Sequence, residues 1–141
     1  MPIQIFTDGA ARGNPGPAGI GIVIRNDEKV LLEVSDYIGK ATNNVAEYMA
    51  FIRGLEEALD IGEKNIEVFS DSELLVKQIN GEYRVKNEGL VPLFHHASSL
   101  IKKFKHCRVY HTAREENKLA DKLANRGIDE ETTKGSPLFS K

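Results

Sequence analysis

Cysteine is almost missing from this chain. Cys107 is the only one in 141 residues, which excludes an internal disulfide and a thiolate zinc cage. Apolar runs long enough to cross a bilayer are also missing. The opening, MPIQIFTDGA, lacks the basic-then-apolar layout of a secretory signal. A cytoplasmic protein with no membrane partner is the expectation. Charge of one sign is scarce as well: 19 Lys and Arg stand against 21 Asp and Glu, leaving a net charge of −2. No global basic field points to nucleic acid, although local patches or bound metal can supply positive charge. One such cluster is Lys102, Lys103, Lys105, His106 and Arg108, readable as a solvated helix end or as a contact surface. The sequence shows no internal repeat, no low-complexity segment and no second domain. With 28% charged and 40% hydrophobic residues, it reads as one ordinary globular domain over residues 1–128 with a polar tail at 129–141.

What is present alternates strand-like and helix-like patterns. Residues 3–8 read as a strand, followed by the turn-rich string GAARGNPGPAG. Ile20, Ile22 and Ile24 share one face of a second strand over 19–25, and Val30, Leu32 and Val34 mark a third. Together they predict an antiparallel meander. Tyr48, Ile52, Leu55 and Leu59 recur at helical spacing, predicting a helix over about 44–61 that stops at Gly62. A fourth strand at 65–70, a short helix in SELLVKQIN, a helix over about 90–104, a fifth strand in HCRVYHT and a last helix over about 115–128 complete the order β-β-β-α-β-α-α-β-α. The first and fourth strands are candidates for parallel neighbours joined by a right-handed crossover. The fold class is therefore α/β, with a five-stranded mixed sheet: three antiparallel strands, then two parallel, with helices on both faces.

Two strands end in the same word. Ile5-Phe6-Thr7-Asp8 matches Val68-Phe69-Ser70-Asp71. Sheets of this kind bind ligands at the carboxyl ends of their parallel strands, so neighbouring strands would set two carboxylates side by side there. Taken singly, Asp71 could cap the following helix and Asp8 could belong to an Asp-Gly turn. Capping does not explain why both strands end alike. Glu47 lies in NVAE, which resembles a capping box led by Asn44. On a helical wheel, however, Glu47 falls in line with Ala50, Phe51, Gly54 and Leu55, opposite Glu56. It should point inward, where a carboxylate is costly unless paired or bound to a cation. Asp121 shares a stripe with Asn117 and Ala124, and by itself reads more simply as a solvent-exposed acid.

Converging acids without matching bases repel and raise one another's pKa. A divalent cation resolves the conflict, and oxygen-rich carboxylate sites suit Mg²⁺ or Mn²⁺. Two such ions, about 3.5–4 Å apart, can clamp the attacking and leaving oxygens of a phosphoryl transfer.

Four strings, TDGAARGNPGPAGIG, TNNVAEYMA, SDSELL and REENKLADKLA, occur in order. On these the chain resembles ribonuclease H type 1, in a form without the lysine-rich handle, from Ile3 to about Arg126. The resemblance implies a ribonuclease H-like fold, with Asp8, Glu47, Asp71 and Asp121 as metal-binding catalytic acids. It implies endonucleolytic hydrolysis of the RNA strand of RNA/DNA hybrids with two Mg²⁺ ions, Mn²⁺ as a possible substitute, leaving 5′-phosphate and 3′-hydroxyl ends. Glu47 would also sense the ribose 2′-hydroxyl, the group that distinguishes RNA from DNA. Gly9, Arg12, Gly13 and Asn14, with Asn43 and Asn44 of TNN, are the implied substrate contacts. A monomer with no extra hybrid-binding domain before Ile3 is expected.

The chain also departs from the family pattern. Glu73 stands where many members carry glutamine, placing a negative charge near a nucleic-acid groove. The segment before the last acid, HTAREEN, is short. Its auxiliary role falls to Arg114 or His111. Arg114, directly before the Asp121 helix, is favoured; it cannot be a general acid but can stabilise charge on phosphate. Without the handle, hybrid affinity would rest on the loop after the first strand, on TNN and on the cluster at 102–108. Other readings are a DNA-directed nuclease of the integrase, resolvase or exonuclease type, and a binding module without catalysis. The paired TDGAARGNPG and TNNVAE strings weigh against the first, and the four acids weigh against the second.

Overall fold

The computed structural model describes residues 2–134. Strand β1 (Ile3–Ala11) buries Ile3, Ile5 and Thr7, the period-2 consequence of alternating side chains. It pairs antiparallel with β2 (Gly16–Arg25), which pairs antiparallel with β3 (Val30–Ala41). On its other side β1 runs parallel to β4 (Asn65–Ser70), and β4 runs parallel to β5 (His106–His111). The sheet order is β3-β2-β1-β4-β5, the mixed arrangement expected.

Helix α1 (Asn43–Asp60) packs on β1 and β2, with α3 (Val91–Ile101) against it. Ile5, Ile22, Ile24, Phe51, Leu55 and Val68 form the centre of this core, each with no exposed surface. Removing one large side chain there, as in Phe51→Ala, costs about 3–5 kcal/mol. Helix α2 (Glu73–Ile79) follows β4. Helix α4 (Lys118–Lys134) takes the opposite face of the sheet, over β1, β2 and β3, where Val23, Ala120 and Leu123 form a smaller cluster.

Several element limits differ from expectation. The turn-rich string is mostly strand: β1 continues through Ala11 and β2 starts at Gly16, leaving only Arg12–Pro15 as the turn. The Asn14–Pro15 bond is cis. Strand β3 runs on to Ala41, past the apolar alternation that marked its start. Helix α3 ends at Ile101 rather than near 104. The last helix begins at Lys118, after a 3₁₀ turn at Arg114–Glu116, and reaches Lys134. Its final stretch is polar and is joined by Arg126–Glu130 and Arg12–Asp129 ion pairs, so hydrophobic periodicity did not mark it. Residues 129–134 of the expected tail are therefore helix, and 135–141 lie outside the described residues.

Candidate metal centre and active site

The last parallel rung between β1 and β4 is Thr7 opposite Ser70. The next residue on each chain is an acid, so Asp8 and Asp71 emerge together where that pairing stops. Asp8 is not a strand end, as the sequence suggested. β1 continues beside β2, and Asp8 lies opposite Gly21. Neither acid serves a turn or a cap, because Ser72 caps α2 through its hydroxyl, which accepts from the Leu75 amide.

Glu47 reaches the same place from α1. The helix cap is Thr42, whose Oγ1 accepts from the Val45 amide, so the capping box led by Asn44 does not form. Glu47 turns inward and is 8% exposed. Gly9 makes this possible: a Cβ there would lie 2.2 Å from the Ala46 carbonyl, so α1 rests directly on the β1 backbone. The Gly9 amide donates to Glu47 Oε1 at 2.8 Å.

Asp121 arrives from the other face of the sheet. A Cβ on Gly21 would lie 2.0 Å from the Ala120 carbonyl oxygen. The helix backbone thus sits on β2 beside Asp8. Asn117 Nδ2 donates to the Thr7 carbonyl at 3.0 Å, and the Asp121 amide donates to the Asn117 carbonyl at 3.1 Å. The carboxyl groups of Asp121 and Asp8 lie within hydrogen-bonding reach of each other.

One carboxylate oxygen from each of Asp8, Glu47 and Asp71 falls within 4.8 Å of the others. Asp8 is 4% exposed. Burial pushes its pKa strongly upward, and the charges of Glu47 and Asp71 push it further. Glu47 is also raised, mainly by burial, against the opposing pull of the Gly9 amide. Among the described residues the one cation beside them is weakly placed: Arg114 Nε lies 3.9 Å from Asp71 Oδ2 and its side chain is 84% exposed. Desolvated, clustered, hard oxygen donors fit a divalent ion such as Mg²⁺.

The structure therefore brings all four predicted acids together, with Arg114 at the rim. Asn14 Oδ1 accepts from the Asn43 amide at 3.0 Å, joining the β1–β2 turn to the start of α1, where Asn43 and Asn44 are exposed. Gly13 adopts φ 111°, a left-handed conformation that favours glycine. Gly9 and Arg12 are already engaged: the Gly9 amide holds Glu47, and the Arg12 guanidinium reaches Asp129 and Asn125 of α4. Glu73 opens α2, largely exposed, 3.7 Å from Lys77. His111 ends β5, exposed, opposite Ser70. The cluster at 102–108 lies at the start of β5, the pole of the sheet opposite the acids. It therefore lies apart from TNN, which stands at the acid pole at the start of α1. Sequence reasoning missed the anchoring role of Asn117, which is 1% exposed; its only signal was an Asn one turn before an acid on a shared stripe.

The family pattern described as reverse transcriptase-like matches residues 6–127. The chain is 41% identical over 92% of its length to a bifunctional protein of Mycobacterium tuberculosis, of which it spans only 36%. It is 37% identical to a ribonuclease H of Pseudomonas fluorescens, covering 91% of this chain and 93% of that one. The solved structure of LC11-RNase H1, isolated from compost, in complex with an RNA/DNA hybrid superposes with a TM-score of 0.88 at 44% identity, over 92% of this chain and 99% of that one. Sequence motifs, sheet order, acid cluster and these likenesses converge: the chain belongs to the ribonuclease H family.

Proposed function

We propose that this protein hydrolyses the RNA strand of RNA/DNA hybrids endonucleolytically, leaving 5′-phosphate and 3′-hydroxyl ends. The carrying observation is the convergence of Asp8, Glu47 and Asp71 oxygens within 4.8 Å in a desolvated pocket. In this reading Asp8, Glu47, Asp71 and Asp121 hold two Mg²⁺ ions, with Mn²⁺ as a substitute. The chemistry supplied by the bound pair is activation of a water for in-line attack and stabilisation of the departing 3′ oxygen.

The chain's own residues hold and orient. Gly9 fixes one oxygen of Glu47, leaving the other for metal and for the ribose 2′-hydroxyl at the groove. Asn117 locks the Asp121 helix to β1. Exposed Asn43 and Asn44, with Asn14 and Gly13 of the adjoining turn, form the substrate-facing surface, and Arg12 flanks it. Arg114 stands at the rim, where its charge stabilises phosphate as the bond breaks. Residues 1–128 carry this activity, as a cytoplasmic monomer. LC11-RNase H1 with its bound hybrid supports the substrate assignment by likeness.

The test is a strand-labelled hybrid incubated with Mg²⁺ or with EDTA. Cutting of the RNA strand alone, only with Mg²⁺, is expected. Cutting of DNA, or retention without cutting, overturns the proposal.

A further inference from the structure

Helix α4 covers β1, β2 and β3, but among the described residues no helix packs extensively on β4 or β5 on that face. The open face carries two cross-strand rungs. One is aromatic: Phe6, Phe69 and Tyr110 are register neighbours, with ring centroids 4.9 and 5.4 Å apart and interplanar angles of 16° and 26°. The rings stand stacked, and the stack ends on edge strand β5 with Tyr110, which is 38% exposed. The next rung is Arg25, Gln4, Glu67 and Arg108. Glu67 is its single acid. Neither Arg25 nor Arg108 forms an ion pair among the described residues, and Arg25 Nε is buried without a hydrogen-bond partner. Beyond this rung a hollow of about 310 Å³ is lined by Asn65, Glu67, His106 and Arg108. Directly before His106, Lys105 is exposed and in no ion pair among the described residues, whereas Lys103 borders a separate hollow beside Glu56, Glu57 and Asp60 of α1.

These features line up along one strand. His106, Arg108 and Tyr110 alternate on the same face of β5, which ends at His111 beside the Ser70–Asp71 corner. At about 3.3 Å per residue the track runs roughly 17 Å from the basic pole to the acid cluster. Unpaired cations followed by a stack with an open outer ring are the two elements of sequence-independent single-strand recognition: charge for phosphates and a π-face for bases. In a chain of net charge −2, this concentration of unneutralised cations favours a polyanion over a protein helix or a second copy.

We propose that the β5 edge is a binding track for single-stranded nucleic acid, with Tyr110 stacking an unpaired base and Arg108 contacting its phosphate. That this strand is the unpaired extension of a hybrid held at the acid cluster rests on the proposed function. The track itself does not.

The test measures binding by fluorescence anisotropy in EDTA, where no cutting occurs. The probes are a blunt hybrid, the same hybrid with a single-stranded DNA extension on either end, and the extension alone. The wild-type protein should bind an extended hybrid about tenfold more tightly than the blunt one, a typical worth of one stacked base. In Tyr110→Ala the ratio of the two affinities should fall to near one. In Arg108→Gln the salt dependence for the extension alone should shallow by about 0.7 in log–log slope. A wild-type ratio of one, or a ratio unchanged in both variants, overturns the track. Cleavage of blunt hybrid by the wild-type protein with Mg²⁺ is scored separately. If that cleavage fails while the single strand still binds through Tyr110 and Arg108, the function falls and the track survives.

Discussion

Asp8→Asn should stabilise the metal-free protein, and by an amount that depends on pH. Asp8 has an ordinary pKa of 3.8, which burial, and then the charges of Glu47 and Asp71, push up to about 10 in the fold. The folded state therefore holds a proton that the unfolded chain releases above pH 4. Stability from this group is complete below the unfolded pKa and drains away as pH rises toward the folded one. Between 3.8 and pH 7 the loss is bounded at about 4 kcal/mol, at 1.36 kcal/mol per unit. Asparagine keeps the volume and removes the titration. Coupling to Glu47 makes half of that bound a fair expectation, roughly 2 kcal/mol, or a rise of about 6 °C in Tm. Thermal melts in EDTA at pH 4.5, 6 and 8 should show the gap between variant and wild type widening with pH. Added Mg²⁺ should close it from the wild-type side, by about 2.7 kcal/mol at a hundredfold excess over Kd. A variant no more stable than wild type at pH 8 in EDTA, or a gap independent of pH, refutes the electrostatic account of this cluster.

Asp71→Asn should reduce hybrid cleavage about 10³-fold or more, roughly 4 kcal/mol of transition-state stabilisation, while Tm in EDTA holds or rises; undiminished cutting would sink the metal assignment. Gly21→Ala drives a methyl into the Ala120 carbonyl and should cost about 3 kcal/mol or more by overpacking, read as a lower urea midpoint. It should also weaken Mn²⁺ binding by calorimetry, since Asp121 moves with the helix. Burial pushes the Cys107 thiol up to about 11, so alkylation at pH 8 should be slow in the native protein and fast in urea; rapid native labelling would contradict that burial. Arg114→Gln should slow cutting more than His111→Gln, followed by single-turnover kinetics; the reverse order would transfer the auxiliary role to His111.

The framework was legible because its signals are local. Ile20, Ile22 and Ile24 announce a strand by alternation, and the inward stripe of α1 placed Glu47 correctly against a plausible capping reading. The repeated Ile-Phe-Thr-Asp and Val-Phe-Ser-Asp words marked two of the acids by pattern alone. The extents of β1 and β2 were illegible for a physical reason. Gly9, Ala10, Ala11, Gly16 and Gly19 are small, and Gly9 and Gly19 must be, because helix backbone lies over them. A strand built to be covered at close range has no bulky alternation to read. The roles of Asn117 and Arg12 were illegible because their partners are remote. Thr7 is 110 residues from Asn117, and Asp129 is 117 residues from Arg12.

The same glycines explain how the fold tolerates its own acid cluster. When ionised, Asp8, Glu47 and Asp71 repel one another, and Arg114 is too exposed to neutralise them. Something other than mutual attraction must hold them together. Glu47 is held by the Gly9 amide and by α1, whose Phe51 and Leu55 are wholly buried. Asp121 is held by α4, pressed onto Gly21 and pinned through Asn117 to Thr7. Asp8 and Asp71 are held by a parallel strand pair whose Ile5 and Val68 are equally buried. Hydrophobic burial on both faces of the sheet thus supplies the free energy that concentrates negative charge at one edge. Without a divalent ion the cluster keeps protons instead. The arrangement is therefore a binding site set up by folding, and the cost of assembling it should be recoverable as affinity for metal.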